Sequence, residues 1–277
     1  MVNFNDFYLE YLGIEVDQLR KGSFHIFSSI FREQPICKQH FFPVIITEWE
    51  GYRICSCTQE MYHFIQNKSE QEAEEILNER YSELNWIQYR RYALENQQEE
   101  MDSIALALSL NLYLRIAKDK CEHHIHPDTR EMLRQELIQV VIDESRIASQ
   151  AYVSDLIAGA ANIAVSTHEQ FRSKGYAKEV VKSAVNYALR KDHLPLYLVR
   201  EDNTASIRVA ESVGFKLSLW NIADTGNPEL FFDADYADFN IERFEIERLR
   251  SLDTDYADFK DKKLLTYFLS NDSGTFK

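Results

Sequence analysis

Residues 158–190 read AGAANIAVSTHEQFRSKGYAKEVVKSAVNYALR, and this run narrows the possible folds more than any other part of the chain. Its opening is apolar and alternating, the period of a strand with one buried face. Its close places Ala177, Val180, Val181, Ala184, Val185 and Ala188 along one stripe, the period of an amphipathic helix. Between them lies FRSKGYA. The chain has only 8 glycines in 277 residues, so a glycine at this junction needs a local reason. A strand that feeds a helix across a short polar loop belongs to a layered α/β architecture.

The neighbouring segments extend that reading. IQVVI and IASQAYV are two strands joined by the polar turn DESR, and ANIAVST is a third. After the helix come LPLYLVR as a strand, ASIRVAESV as a short helix ended by Gly214, and FKLSLW as extended chain. The first part of the chain reads differently. It holds aromatic segments, FHIFSSIF and FFPVIITEW, and then a charged stretch from Glu70 to about Lys120 without proline or glycine. Within it, EQEAEEILNERYSEL and MDSIALALSLNLYLRIAK have apolar residues at helical spacing. In EHHIHPDT, Pro127 reads as a stop and Asp128 as a helix cap. These readings divide the chain into a mostly helical domain over 1–126 and an α/β domain over 127–277. The latter ends in an acidic tail, where DADYADFN and DTDYADFK form a short repeat flanking a helix. Neither copy has the glycine or the terminal glutamate of a calcium loop.

Composition bounds the function. The formal net charge is −14, which argues against a nucleic-acid partner and mildly favours a cationic small substrate. No apolar run is long enough for a membrane span, and the start MVNFNDFYLEYLG lacks the pattern of a signal peptide, so a cytoplasmic protein is expected. Cys37, Cys55, Cys57 and Cys121 do not have zinc-knuckle spacing, and His123, His124 and His126 have no second ligand cluster to complete a metal site. No metal is expected.

The junction itself suggests chemistry. The first turn of a helix has unpaired N–H groups and the positive end of the helix dipole, a ready site for phosphate. A residue without Cβ lets the backbone approach an anion closely. Arg172 adds a charged donor, and Ala177 keeps the next position small. Downstream, Asn203, Ser206, Glu211, Gly214 and Phe215 stand in the spacing N-x-x-S-x-x-x-x-E-x-x-G-F.

With both motifs in place, the segment from about Ile138 to Lys216 resembles the acetyl-CoA-binding core of the GNAT superfamily of N-acetyltransferases. The resemblance covers less than half of the chain, and the rest is compatible with bacterial members that carry an additional N-terminal domain. It implies a GNAT-like mixed sheet flanked by helices, with acetyl-CoA as cosubstrate and a small-molecule amine as acceptor. It implies that the backbone of Val165, Ser166 and Thr167 binds the pantetheine arm like an added strand. The amides of Arg172, Ser173, Lys174, Gly175, Tyr176 and Ala177 would hold the pyrophosphate. Asn203 would bond the pantetheine or the region near the thiol, Ser206 would assist, and Phe215 would pack beneath.

Acyl transfer to an amine needs a base, an oxyanion donor and help for the departing thiolate. A splayed or bulged strand near Val165 to Thr167 could offer the oxyanion a backbone N–H. In many members of the superfamily a tyrosine just before the glutamate supplies the acid, and here that position is Ala210. Ser206, a water or a tyrosine from another segment remain open as substitutes. His168 and Glu169, at the strand end, are the candidate bases. Two other classes stay open: a non-catalytic acyl-CoA-binding module and a partner-binding scaffold. The sequence does not fix the acceptor or the oligomeric state.

Overall fold

The computed structural model describes residues 2–225 except 22, 34–41, 82–84, 96–98, 117–124, 126 and 144–145. Cys37, Cys121, His123, His124, His126 and the tail with its DYADF repeat and intervening helix lie outside the described residues. The elements are α1 (Phe4–Leu12), β1 (Phe24–Ser28), β2 (Val44–Trp49), β3 (Tyr52–Cys57), α2 (Gln59–Ile65), α3 (Glu70–Arg80) and β4 (Asn85–Ala93). They continue with β5 (Leu106–Ala107), α4 (Leu110–Ile116), α5 (Pro127–Arg134), β6 (Ile138–Asp143), β7 (Arg146–Ile157) and β8 (Ala160–Thr167). The last are α6 (Tyr176–Arg190), β9 (Leu194–Arg200), α7 (Thr204–Val213) and β10 (Lys216–Thr225).

The 10 strands among the described residues join one mixed sheet in the order β1-β3-β2-β10-β4-β9-β8-β7-β6-β5. Helices flank it on both faces, as the α/β reading expects. The chain before residue 127 supplies α1 to α4 and also β1 to β5, so the sheet runs unbroken across residue 126. β4 lies between β9 and β10, antiparallel to both. Alternation along the strands sorts side chains to two faces. Ala161 and Ile163 of β8, Tyr197 and Val199 of β9 and Tyr92 of β4 pack with α6 and α7. On the other face Ala160, Leu194, Leu196, Tyr89 and Ala93 pack with α1. Val180, Val181, Ala184, Val185 and Ala188 of α6 are fully buried, as their spacing predicts. Each valine so covered contributes about 1.5–3 kcal/mol.

Two local expectations are corrected. Residues 101–118 are expected to be one helix, but of the described residues in this range only Leu110–Ile116 is helical. The start of this stretch is drawn out along α6 by side chains that bind its backbone. Asn186 accepts from the Met101 amide and donates to the Met101 carbonyl, both at 2.8 Å, and the Glu179 carboxylate accepts from the Ile104 amide at 3.1 Å. These tertiary bonds outweigh a propensity worth only tenths of a kcal/mol per residue. Pro127 is not a stop but the first residue of α5, where its missing N–H costs nothing.

Candidate functional site

The loop from Phe171 to Tyr176 joins β8 to α6. Ser173 and Gly175 both have left-handed backbone, with φ of 65° and 84°. Such alternation turns successive amides to one side and makes an anion-receiving concavity. Gly175 is the N-cap of α6 and makes no side-chain cap bond. A Cβ placed on it would meet nothing within 4 Å, so the rim is open. Among the described residues, the amides of Ser173, Lys174, Gly175 and Ala177 have no hydrogen-bond acceptor. Arg172 is exposed and has no ion-pair partner among them. Asp143, at the end of β6, fixes the loop. Its carboxylate accepts from Lys174 Nζ at 2.9 Å and from the Tyr176 hydroxyl at 2.8 Å. The sequence pattern gave no sign of Asp143, because its partners are more than thirty residues away.

Beside this loop the sheet parts. β8 pairs with β7 as far as Thr167 but with parallel β9 only at Ala160, Ala161 and Asn162. β9 turns instead to β4, with which it pairs from Leu196 to Arg200. From Ile163 onward, therefore, the edge of β8 that faces β9 has no ladder partner. Val165, Ser166 and Thr167 lie on this open edge. Their other edge faces β7, where Ser149 Oγ donates to the Ser166 carbonyl at 3.1 Å and lies 2.8 Å from Thr167 Oγ1.

α7 closes the far side. Asn203 caps it by accepting from the Ser206 amide at 3.1 Å, which leaves the Asn203 Nδ2 donor for other use. Ser206 Oγ lies 2.7 Å from the Tyr197 hydroxyl. Burial holds the Tyr197 phenol up at about 12, against a smaller opposing effect of that bond. Ala210 is fully buried in the core between α7 and the sheet. Tyr92, in the register position opposite Tyr197, points to the same face and donates to Glu211 Oε1 at 3.2 Å. Burial raises the Tyr92 phenol too, with Arg90 opposing and Glu211 reinforcing. Phe215 is buried, with its ring 5.7 Å from that of Tyr197. Thus Ser206 is joined to a tyrosine from β9 that the sequence reading left unnamed. The alternation of LPLYLVR could have placed it on the helix face.

His168 and Glu169 sit where the open edge of β8 ends. Both are exposed, and the His168 ring lies 5.8 Å from Phe171. The structure does not bring either to the Tyr197–Ser206 pair by any contact. Among the described residues no group of three or more His, Cys, Asp or Glu could hold a metal. Cys55 and Cys57 are buried free thiols. Among the same residues no helix is long and apolar enough to cross a membrane.

A parted pair of parallel strands, with a bare amide loop opening the helix between them, suits transfer of a group carried on a phosphate-bearing donor. Residues 131–216 match the family model described as "Acetyltransferase (GNAT) domain". The chain thus carries a GNAT acetyltransferase domain over less than a third of its length. Among solved structures, the chain is similar to a GNAT-family putative acetyltransferase from Novosphingobium aromaticivorans, at 15% identity over 52% of this chain and 66% of that one, with a TM-score of 0.40. Another is a GCN5-related N-acetyltransferase-like protein from Streptococcus suis, at 15% identity over 67% and 83%, with a TM-score of 0.42. A third is a GCN5-related N-acetyltransferase from Sphaerobacter thermophilus, at 13% identity over 57% and 56%, with a TM-score of 0.40. The chain spans less than two thirds of the Novosphingobium and Sphaerobacter proteins. No curated protein matches the chain in sequence.

Proposed function

We propose that the protein moves an acetyl group from acetyl-CoA to the amine of a small molecule. The observation that carries this reading is the open rim of left-handed backbone at Ser173 and Gly175, set beside the unpaired edge of β8. The residues fit the donor. The amides of 173–177 and Arg172 would receive the pyrophosphate, Val165 to Thr167 would pair with the pantetheine amides, and Asn203 Nδ2 would donate to the same arm. Bound there, acetyl-CoA supplies an activated acyl group and a thiolate leaving group.

Ser206 and Tyr197 would stand at the leaving group. A phenol held at about 12 keeps its proton at neutral pH and serves as a donor. Full transfer of that proton to a thiolate, whose conjugate acid has a pKa near 8.5, would be uphill by about 3.5 units, roughly 5 kcal/mol. The pair therefore stabilises developing negative charge by hydrogen bonding and does not give up the proton. His168 and Glu169, the candidate bases, would take the amine's proton through water. A second reading, a non-catalytic acyl-CoA binder, is favoured by Ala210, which stands where a tyrosine would serve as acid.

Thiol release from acetyl-CoA across an amine panel separates the readings. Turnover with any amine supports the transferase. Thermal stabilisation by CoA with no turnover favours the binder. Stabilisation by neither ligand removes both and leaves a scaffold for a partner protein.

A further inference from the structure

The face of the sheet opposite α6 holds two buried cations without counter-ions. Arg32 is 0% exposed and Arg91 5%. Arg32 Nε, Nη1 and Nη2 and Arg91 Nε meet no acceptor in hydrogen-bond geometry among the described residues, the Tyr11 side chain is the polar group that interacts with both, and neither residue has an ion pair among the described residues. Both guanidiniums lie on one ring, that of Tyr11, at 4.3 Å and 4.7 Å from its centroid. Burying a guanidinium without a counter-ion is costly, and an aromatic face returns only part of that cost. The structure therefore carries an uncompensated positive potential inside the aromatic cluster of α1.

That potential has an outlet. Arg91 and Tyr11, with Phe7, Ile157, Asn162, Leu196 and Leu198, line a cavity of about 30 Å³. This is room for about two water-sized groups. Asn162 Oδ1, also on the cavity, is buried and unpartnered. Asn162 and Leu196 are the last paired positions of β8 and β9, so the cavity lies where the strands begin to part. The amide loop is at the other face of the same opening. Burial pushes the Tyr11 phenol up, yet Arg32 and Arg91 together bring it below its usual value, which reports the strength of the local field.

We infer that this cavity is the acceptor's anchoring subsite and takes a carboxylate, received by Arg91 with Arg32 behind it, so that the acceptor is an amino acid or a similar amine bearing an acid group. The inference rests on the proposed acetyl transfer and sharpens its substrate class. The chain's net charge favours cationic acceptors only through its long-range field, whereas the two arginines act at contact. Asn162 reads the same group through its amide once the side chain turns its Nδ2 inward.

The test uses the full chain and pairs of α-amino acids with their own carboxamides. Thiol release is expected to favour the acid over the amide by at least about tenfold in kcat/KM, mostly through KM. In Arg91→Gln that ratio should collapse toward one, and Arg91→Lys should restore part of it. Equal turnover of acid and amide, or an Arg91→Gln variant that keeps the preference, overturns the inference while the transferase reading stands. Where no pair is turned over, melting of the CoA-saturated protein decides. Stabilisation by acids and not by amides supports the subsite, and stabilisation by neither or by both equally overturns it. Failure to bind CoA at all is the separate failure of the transferase reading, and the acid–amide melting comparison on the free protein then decides in the same way.

Discussion

Replacing Gly175 with alanine separates backbone strain from ligand contact. Gly175 has φ of 84°, and an added Cβ would meet no atom within 4 Å. The cost to the free fold is thus conformational, roughly 1–2 kcal/mol for an L-residue in the left-handed region. At this chain length that lowers Tm by about 2–4 °C for each kcal/mol. Gly51, in the hairpin between β2 and β3, is a matched control: its φ is 79° and its Cβ position is equally open. Gly51→Ala should lose the same melting temperature. Only at Gly175 does the new methyl occupy the rim where phosphate would rest. Calorimetric titration with CoA should therefore show at least a tenfold loss for Gly175→Ala, about 1.4 kcal/mol, and no loss for Gly51→Ala. If the two variants melt alike and bind CoA alike, the rim is not the phosphate site and the reasoning fails.

Tyr197→Phe removes the partner of Ser206 Oγ and should lower kcat about tenfold, the worth of one hydrogen bond, with CoA affinity changed far less. It also has a signature in alkali. The folded pKa of about 12 lies above the unfolded value near 10, so this group's stabilisation is complete below pH 10 and is lost as pH climbs toward 12. Urea midpoints should fall more steeply above pH 10 in the wild type than in Tyr197→Phe, and identical slopes would contradict the burial argument. Ala210→Tyr should lose about 1–3 kcal/mol through overpacking and gain no thiol release, since Ala210 is fully buried. A variant that melts like the wild type and turns over faster would show instead that room for the missing acid exists.

The α/β core was legible because its elements are local. The stripe Val180, Val181, Ala184, Val185, Ala188 and the alternation of IQVVI and LPLYLVR each fix one element without reference to the rest. The loop at Gly175 was legible for the same reason, since its scarcity and its place at a strand–helix junction need no partner. What escaped was non-local. Asp143 shows its role only once β6 meets the loop, and Tyr197 only once α7 folds back over β9. The helical pattern over 101–118 failed because Asn186 and Glu179, some eighty residues away, compete for its backbone. Arg32 and Arg91 look like ordinary surface charges in the sequence. Nothing there tells that α1 lays its aromatic rings against both.

The wedge of β4 between β9 and β10 has a consequence for biosynthesis. Ala93 pairs with both Leu196 and Lys216, so the middle of the sheet joins segments that leave the ribosome on the order of ten seconds apart. Until then β4 waits with two bare edges, and β2 with one, each a template for pairing with a neighbouring nascent chain. Expression at low temperature or with chaperones that shield such edges should favour soluble product, and a fragment ending before residue 194 should accumulate as aggregate.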